Sequence, residues 1–169
     1  MFHWLRELFH HEQTSKTEKI VSGVISFAYI FILGFLGSSK NMAFYDSLIK
    51  PQLTPPNWVF PVVWTILFAL IGLAGYYAWN HFKSDLYRKI FAILYAANGI
   101  LVYLWSYVFF GQNDINGALY VILGMIVLIE FMILTAFKIN HKTAYLLLPY
   151  FIWVLFATYL NTSIIALNS

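Results

Sequence analysis

The chain has 169 residues, of which 61% are hydrophobic and only 10% are charged, and its net charge is +3 at pH 7. Soluble domains carry about 25% charged residues, so this composition excludes a protein with water on all sides, and the length suits a single domain. The absence of cysteine excludes disulfides, thiolate metal sites and cysteine nucleophiles, and the scattered basic residues exclude a nucleic-acid-binding surface.

Residues 1–19 form a charged N-terminal extension ahead of the first apolar stretch. In Met1–His10, apolar residues stand against charged ones, which is typical of a short amphipathic helix in the membrane interface. The extension lacks a signal-peptide cleavage pattern, so we expect the first apolar helix to be retained. The adjacent His10 and His11 do not have the spacing of metal ligands on a helix, and no metal site is predicted.

Five long stretches without charge, interrupted once by a single glutamate, predict transmembrane helices, because a helix needs about 20 apolar residues to cross the hydrocarbon core. The predicted spans are residues 20–39, 57–80, 88–111, 115–137 and 143–166. We therefore predict an all-α membrane protein in which residues 20–168 form one bundle of five transmembrane helices.

The connection between the first two spans, residues 40–56, is the long one. Its segment Met42–Ile49 has the apolar content of a short helix, and a proline-punctuated turn follows. Aromatic and proline content argues against disorder, and a long ordered loop in a compact protein is usually functional. We predict a lid over one end of the bundle.

The basic residues are distributed unequally between the two sides of the predicted bundle. Of the ten Lys and Arg residues, only Lys40 and Lys50 fall on the side of the first loop, which leaves eight on the N-terminal side. By the positive-inside rule the N-terminus is expected in the cytoplasm. The pattern favours the cytoplasmic membrane.

Apart from Arg88 and Lys89 at the start of the third span, Glu130 is the only charged residue inside a predicted span, and intramembrane carboxylates are candidate functional groups. It lies eight residues before Lys138, about 12 Å along a helix, so we favour a side chain that reaches towards the basic side. Nothing else at membrane depth completes a proton relay, which argues against a pump or an acid–base enzyme. No catalytic residue is predicted.

Polar and aromatic residues recur on one face of three spans, at spacings of three and four. These faces are Pro56, Phe60, Trp64 and Phe68; Asn98, Val102, Trp105, Ser106 and Phe109; and Pro149, Trp153, Ala157 and Asn161. Trp64, Trp105 and Trp153 lie far from charges, where an indole N–H needs a partner or a ligand. The residues alone leave open a ligand pocket and aromatic packing between helices.

Ala92, Ala96 and Gly99 form a stripe of small residues on the third span. Small residues allow close approach of two helix backbones in a membrane. The approaching helix belongs either to the same bundle or to a second copy of the chain. We predict a homodimer through this face.

Three sequence blocks stand in order along the chain. They are Tyr45-x-x-Leu48-x-Lys50-Pro51-x-x-x-Pro55-Pro56-x-x-x-Phe60-x-x-x-Trp64, then Trp105-Ser106-x-x-Phe109-Phe110-Gly111, then Pro149-Tyr150-x-x-Trp153-x-x-Phe156-Ala157-Thr158-x-Leu160-Asn161. In order and spacing they resemble the translocator protein (TspO/MBR) family, also called tryptophan-rich sensory proteins or peripheral-type benzodiazepine receptors, in its bacterial form.

The resemblance implies a five-helix bundle, often dimeric, with a ligand pocket under the first loop. Members of the family bind porphyrins and haem-type tetrapyrroles, cholesterol in animals, and synthetic isoquinoline carboxamide or benzodiazepine-type drugs. Carried over by motif position, the ligand-binding residues would be Tyr45, Pro55, Pro56, Trp64, Phe68, Trp105, Ser106, Trp153, Ala157 and Asn161. Flat aromatic walls would stack on a macrocycle, with no cofactor required.

Some positions depart from the family pattern. Leu53 stands where the family usually has Trp, and Val102 where it often has Asn, while Asn98 keeps an amide one turn earlier. After Tyr159 no basic residue follows, so the cholesterol motif of animal members is absent. A tetrapyrrole is therefore favoured over a sterol as the ligand.

The function expected from the resemblance is that of a membrane-embedded receptor or carrier for tetrapyrroles. One alternative is a light- or oxygen-dependent enzyme that degrades porphyrins, with Trp64 and Trp153 as redox-active neighbours of the ring. Another is a small-molecule exporter.

Overall fold

The computed structural model describes residues 14–37, 42–82 and 84–169. Its helices are α1 (Lys16–Gly37), α2 (Met42–Ser47), α3 (Val59–Asn80), α4 (Asp85–Ser106), α5 (Ile115–Ile139) and α6 (His141–Asn168). Within these described ranges all helices but α2 are long and apolar enough to cross a membrane, and no strand is present. The predicted all-α bundle of five transmembrane helices is confirmed. The interfacial helix predicted in Met1–His10 and the His10–His11 pair lie outside the described residues.

Side-chain caps set helix ends that the charge pattern placed elsewhere. α1 begins within the predicted N-terminal extension because Ser15 and Glu18 form a capping box, in which the Glu18 N–H donates to Ser15 Oγ at 3.2 Å and the Ser15 N–H donates to Glu18 Oε2 at 2.6 Å. α6 begins at His141 because the Thr143 N–H donates to the Asn140 side chain at 2.9 Å.

The spanning helices pack into one bundle, with α5 between α4 and α6, and α3 between α1 and α6; α1 also contacts α4. The bundle has two ends. At the N-terminal end α1, α4 and α6 begin, and at the first-loop end α1, α4 and α6 finish. The interior between the ends is mostly apolar, with Ile71, Met125 and Ile129 fully buried there, and it also encloses Asn98.

The stripe of small residues on α4 packs at least partly inside the bundle. A Cβ added at Gly99 would overlap the Tyr29 ring of α1, and the Tyr29 hydroxyl donates to the Ala96 carbonyl at 2.5 Å. Gly99 thus permits a close contact within the chain, while Ala96 is exposed. The homodimer through Ala92, Ala96 and Gly99 stays a prediction.

Glu130 lies on the exposed face of α5. Among the described residues, the ion pairs are those of Asp85 with Arg88 and Lys89. Glu130 therefore forms no ion pair with another described residue.

Candidate ligand-binding cavity

A cavity of about 580 Å³ lies at the first-loop end of the bundle, between α1, α3, α4 and α6 and beneath α2. Nine of its 21 described lining residues are aromatic. Within the described part of the chain, the aromatic lining residues are Phe31, Phe35, Tyr45, Phe60, Trp64, Phe68, Trp105, Phe109 and Phe110. The amides of Asn57 and Asn161 and the hydroxyls of Thr65 and Ser106 add neutral polar groups.

The structure brings seven of the ten residues named from the motifs to the wall of this cavity. These are Tyr45, Trp64, Phe68, Trp105, Ser106, Ala157 and Asn161. They come from α2, α3, α4 and α6, so residues that are far apart in sequence meet at one place.

The other three motif residues, Pro55, Pro56 and Trp153, lie outside the lining of the cavity. Pro56 shapes the start of α3, because its carbonyl accepts a hydrogen bond from the Val59 N–H at 2.9 Å. Trp153 packs edge-on against Phe60, with ring centroids 6.0 Å apart, and its indole N–H is buried without a hydrogen-bond partner among the described residues. Phe60 lines the cavity, so Trp153 contacts the wall instead of forming it.

The residues of α1 that line the cavity were not predicted from the sequence. Phe31, Gly34 and Phe35 line the cavity from α1, and a Cβ on Gly34 would overlap the ring of Phe68 on α3. The glycine lets the aromatic ring lie directly against the α1 backbone. A glycine within an apolar helix was the one available signal for this close approach.

Tyr45 lines the first-loop end of the cavity from α2. Its side chain is 7% exposed, and its ring centroid lies 6.3 Å from Phe60, 6.3 Å from Phe109 and 6.1 Å from Phe110. The Lys50 ammonium stands 4.7 Å from the same ring centroid, a cation–π contact. Burial, and then the negative charge of Asp46, raises the pKa of the Tyr45 phenol above its ordinary value of 10.0, so the group is a neutral hydroxyl at physiological pH.

A π-helical turn explains why two consecutive phenylalanines both face α2. α4 continues as a π-helix over Tyr107–Gly111, and the Gln112 N–H donates to the Tyr107 carbonyl at 3.0 Å. Neighbouring residues of a regular α-helix point about 100° apart, whereas the wider turn brings the Phe109 and Phe110 rings to 4.8 Å of each other. Such π-turns are often found at functional sites.

Asn161 organises the cavity wall through contacts with protein groups. Its Oδ1 accepts a hydrogen bond from the Trp105 indole N–H at 3.4 Å, and its Nδ2 donates to the Ile115 carbonyl at 2.8 Å. The amide therefore ties α6 to α4 and α5 and fixes the plane of the Trp105 ring. Its carbonyl oxygen retains a second lone pair for a ligand.

The chemistry available in the cavity is that of aromatic surfaces and neutral hydrogen bonds. Among the described lining residues none is Asp, Glu, His, Lys or Arg, and the described chain holds no cluster of three metal-binding side chains. The site is suited to holding a flat hydrophobic molecule with a few polar contacts.

Known proteins resemble the chain over most of its length. Residues 23–167 match the sequence profile of the TspO/MBR family. The tryptophan-rich protein TspO of Archaeoglobus fulgidus is 39% identical over 159 residues, which covers 89% of this chain and 97% of the relative. The protein of the same name from Chlorobaculum tepidum is 33% identical over 158 residues, covering 89% and 98%. The translocator protein of Homo sapiens is 28% identical over 132 residues, covering 75% and 78%.

Proposed function

Since the chain belongs to the TspO/MBR family, we propose that this integral membrane protein is a receptor or carrier that binds porphyrin- or haem-type tetrapyrroles. The observation that carries the proposal is the cavity of about 580 Å³, which is walled by aromatic rings on four helices. Its volume falls within the range of about 300–1,000 Å³ that is typical of small-molecule sites.

The ligand would enter between flat side chains. Trp64 on α3, Trp105 on α4 and the small side chain of Ala157 on α6 all line the cavity. Offset stacking on an aromatic face contributes about 0.5–1.5 kcal/mol beyond burial. The same surfaces suit synthetic isoquinoline carboxamide or benzodiazepine-type drugs, which would compete with a porphyrin for the cavity.

The first loop would serve as the lid of this cavity. The support is Tyr45, whose ring contacts residues that line the wall. Movement of α2 away from Phe109 and Phe110 would uncover the aromatic interior. Binding would then require this opening, followed by closure over the ligand.

The absence of charged groups from the described lining residues favours binding over acid–base chemistry. Titration of the purified protein with protoporphyrin IX, followed by quenching of tryptophan fluorescence, tests the proposal. Saturable quenching that an isoquinoline carboxamide reverses is the expected result. Quenching that rises linearly with porphyrin, without saturation or competition, would contradict a site in the cavity.

The orientation proposed for the protein is an N-terminus in the cytoplasm, with the protein in the cytoplasmic membrane. The support is the excess of Lys and Arg at the N-terminal end, eight of the ten in the sequence. Reporter fusions at both termini test it, and an external N-terminus would contradict it.

The homodimer that we propose through Ala92, Ala96 and Gly99 would use the exposed part of the α4 face around Ala96. Ala96→Leu is expected to weaken a dimer in detergent, as measured by light scattering. A dimer unaffected by this change would contradict the proposed interface and would show that the stripe only packs against α1.

A further inference from the structure

A second cavity, of about 500 Å³, lies at the N-terminal end of the bundle. It is formed by the beginning of α1, the end of α3 and the beginning of α4, and we call it the N-terminal groove. It shares no lining residue with the cavity beneath the first loop. A ligand in the groove would therefore be distinct from the one proposed above, and the inference that follows does not depend on that function.

Two tyrosines bridge α1 and α4 at the inner end of the groove. The Tyr95 hydroxyl donates to the Ser26 carbonyl at 2.8 Å, and the Tyr29 hydroxyl donates to the Ala96 carbonyl at 2.5 Å. All four residues line the groove. These bonds hold the two helices together on one side of a space that is walled by small residues, among them Ala92.

The groove opens towards the lipid. Ile25 lines it and is 62% exposed, Val21 lines it and is 48% exposed, and both lie on α1. Side chains exposed at this depth of an integral membrane protein contact acyl chains. An apolar space without an occupant forfeits dispersion contacts, and in a membrane the apolar filler at hand is an acyl chain.

The outer end of the groove is charged. Arg88 lines it, with its guanidinium over the rings of Trp79 at 4.5 Å and Phe82 at 4.1 Å and paired with Asp85. Its Nε is buried, so the donors left for a ligand are those of the terminal guanidinium nitrogens that Asp85 does not use. Glu18 is the other charged residue of the lining. The flanking segments 14–19 and 84–89 together hold four basic and two acidic residues, so this end keeps an excess of positive charge that attracts anions.

The length of the groove fits one leaflet. Arg88 and Ala96 both line it, and eight residues of helix span about 12 Å. Half of the hydrocarbon core is about 15 Å deep. A phosphate held at Arg88 would therefore leave its acyl chain running along the groove as far as the tyrosine bridges.

We propose that the N-terminal groove is a binding site for one anionic phospholipid of the leaflet at the N-terminal end. Arg88 contacts the phosphate, and an acyl chain lies between α1, α3 and α4. The lipid is held by electrostatic attraction at the headgroup and by shape complementarity along the acyl chain. The site accordingly discriminates by headgroup charge through Arg88 and by shape through Ala92.

Native mass spectrometry of the full-length protein in detergent tests this site with added phosphatidylglycerol and phosphatidylcholine. Wild type is expected to retain phosphatidylglycerol more tightly. Arg88→Gln should weaken phosphatidylglycerol about fivefold, the effect of one basic residue at an anionic surface, and leave phosphatidylcholine unchanged. Lys89→Gln, which alters an exposed cation paired with the same Asp85, is the matched control and should change either affinity less than about twofold.

A second pair of variants tests the shape of the groove. Ala92→Phe fills it and should weaken both lipids, whereas Ile93→Phe changes the next residue, which is 70% exposed outside the lining, and should bind as wild type. Arg88→Lys keeps the positive charge and should therefore keep the headgroup preference. Melting temperatures of all variants are compared, so that a loss of binding is not confused with a loss of folding. Wild-type phosphatidylglycerol binding by folded Arg88→Gln and Ala92→Phe would overturn the proposal. Ala92 and Ala96 also belong to the proposed dimer face, so a lipid and a second copy would exclude each other at the groove. Loss of a dimer with lipid binding intact in Ala92→Phe would overturn the lipid site, because the second copy and not the lipid would then occupy the groove.

Discussion

The side-chain amide of Asn168, in the last turn of α6, forms two hydrogen bonds with the backbone of Ile49 in the first loop. Its Oδ1 accepts from the Ile49 N–H at 3.0 Å, and its Nδ2 donates to the Ile49 carbonyl at 2.9 Å. One residue thus satisfies both backbone groups of a loop residue that has no strand or helix to pair with. The end of the chain holds the loop in place beside Ile164, which lines the cavity.

Asn168→Ala should loosen the first loop without unfolding the bundle. Two neutral hydrogen bonds contribute about 1–3 kcal/mol together, which corresponds to an opening equilibrium shifted about 5- to 150-fold. Hydrogen exchange of the peptide that contains Ile49, followed by mass spectrometry, should accelerate accordingly. Porphyrin association and dissociation, measured by stopped-flow fluorescence, should both become faster because the ligand passes beneath the loop.

Thr162→Ala is the control for the loop experiment. Its hydroxyl donates to the Thr158 carbonyl at 2.9 Å within α6 and so does not contact the first loop. Exchange at Ile49 that is equal in Asn168→Ala and Thr162→Ala would show that the amide does not restrain the loop.

Ala157→Leu should weaken porphyrin binding by filling space in the cavity wall. Ala157 lines the cavity on α6, and overpacking of a close-packed site costs about 1–3 kcal/mol. The affinity measured by fluorescence titration should fall about 5- to 150-fold. Ala166→Leu makes the same change on an exposed part of α6 outside the lining, and it should bind as wild type. Unchanged affinity in a folded Ala157→Leu protein would remove this helix face from the site.

Gly34→Ala and Gly124→Ala should change the stability of the protein in opposite directions. A Cβ at Gly34 overlaps the Phe68 ring, while a Cβ at Gly124 meets its nearest neighbour, Leu101, at an ordinary 3.6 Å. Gly34→Ala should lower the free energy of unfolding by about 1–3 kcal/mol, and Gly124→Ala should raise it by as much as about 1 kcal/mol through helix propensity. Thermal unfolding in one detergent compares them, and equal melting temperatures would contradict the close approach of α1 and α3.

The apolar environment of the bilayer makes the spans of this protein predictable from sequence, but it makes the residues that line the cavity harder to predict. Burying a charge in hydrocarbon is costly, so the uncharged stretches of the sequence located the five helices. The Ser15–Glu18 cap starts α1 earlier than the first uncharged stretch. Polar and aromatic residues marked the faces of α3, α4 and α6. α1 is apolar on every side, so periodicity could not tell which face lines the cavity.

Features that depend on contacts distant in sequence were beyond the sequence analysis. The Asn168–Ile49 contact joins residues 119 positions apart, and nothing about an isolated asparagine near a chain end predicts its partner. The π-helical turn at Tyr107–Gly111 adds one residue to a helix whose composition is ordinary. A regular helical wheel places Phe109 and Phe110 on separate faces, whereas the π-helical turn brings their rings together.

Tyr150 and Asn98 form a buried polar pair in the middle of the bundle, and the free energy of unfolding should show their dependence on each other. The Tyr150 hydroxyl donates to Asn98 Oδ1 at 3.1 Å, the two residues are 0% and 1% exposed, and Trp64 packs against the Tyr150 ring at 6.3 Å. Tyr150→Phe strands the Asn98 amide, whose Nδ2 already has no partner among the described residues, and Asn98→Leu strands the hydroxyl. Each single change should cost about 1–3 kcal/mol, because a buried polar group loses its partner. The double variant replaces both with apolar groups of similar size, so it should cost less than the two single costs added together. Reversible unfolding of all four proteins in mixed micelles closes the cycle, and additive costs would show that the hydrogen bond contributes nothing to the stability of the folded bundle.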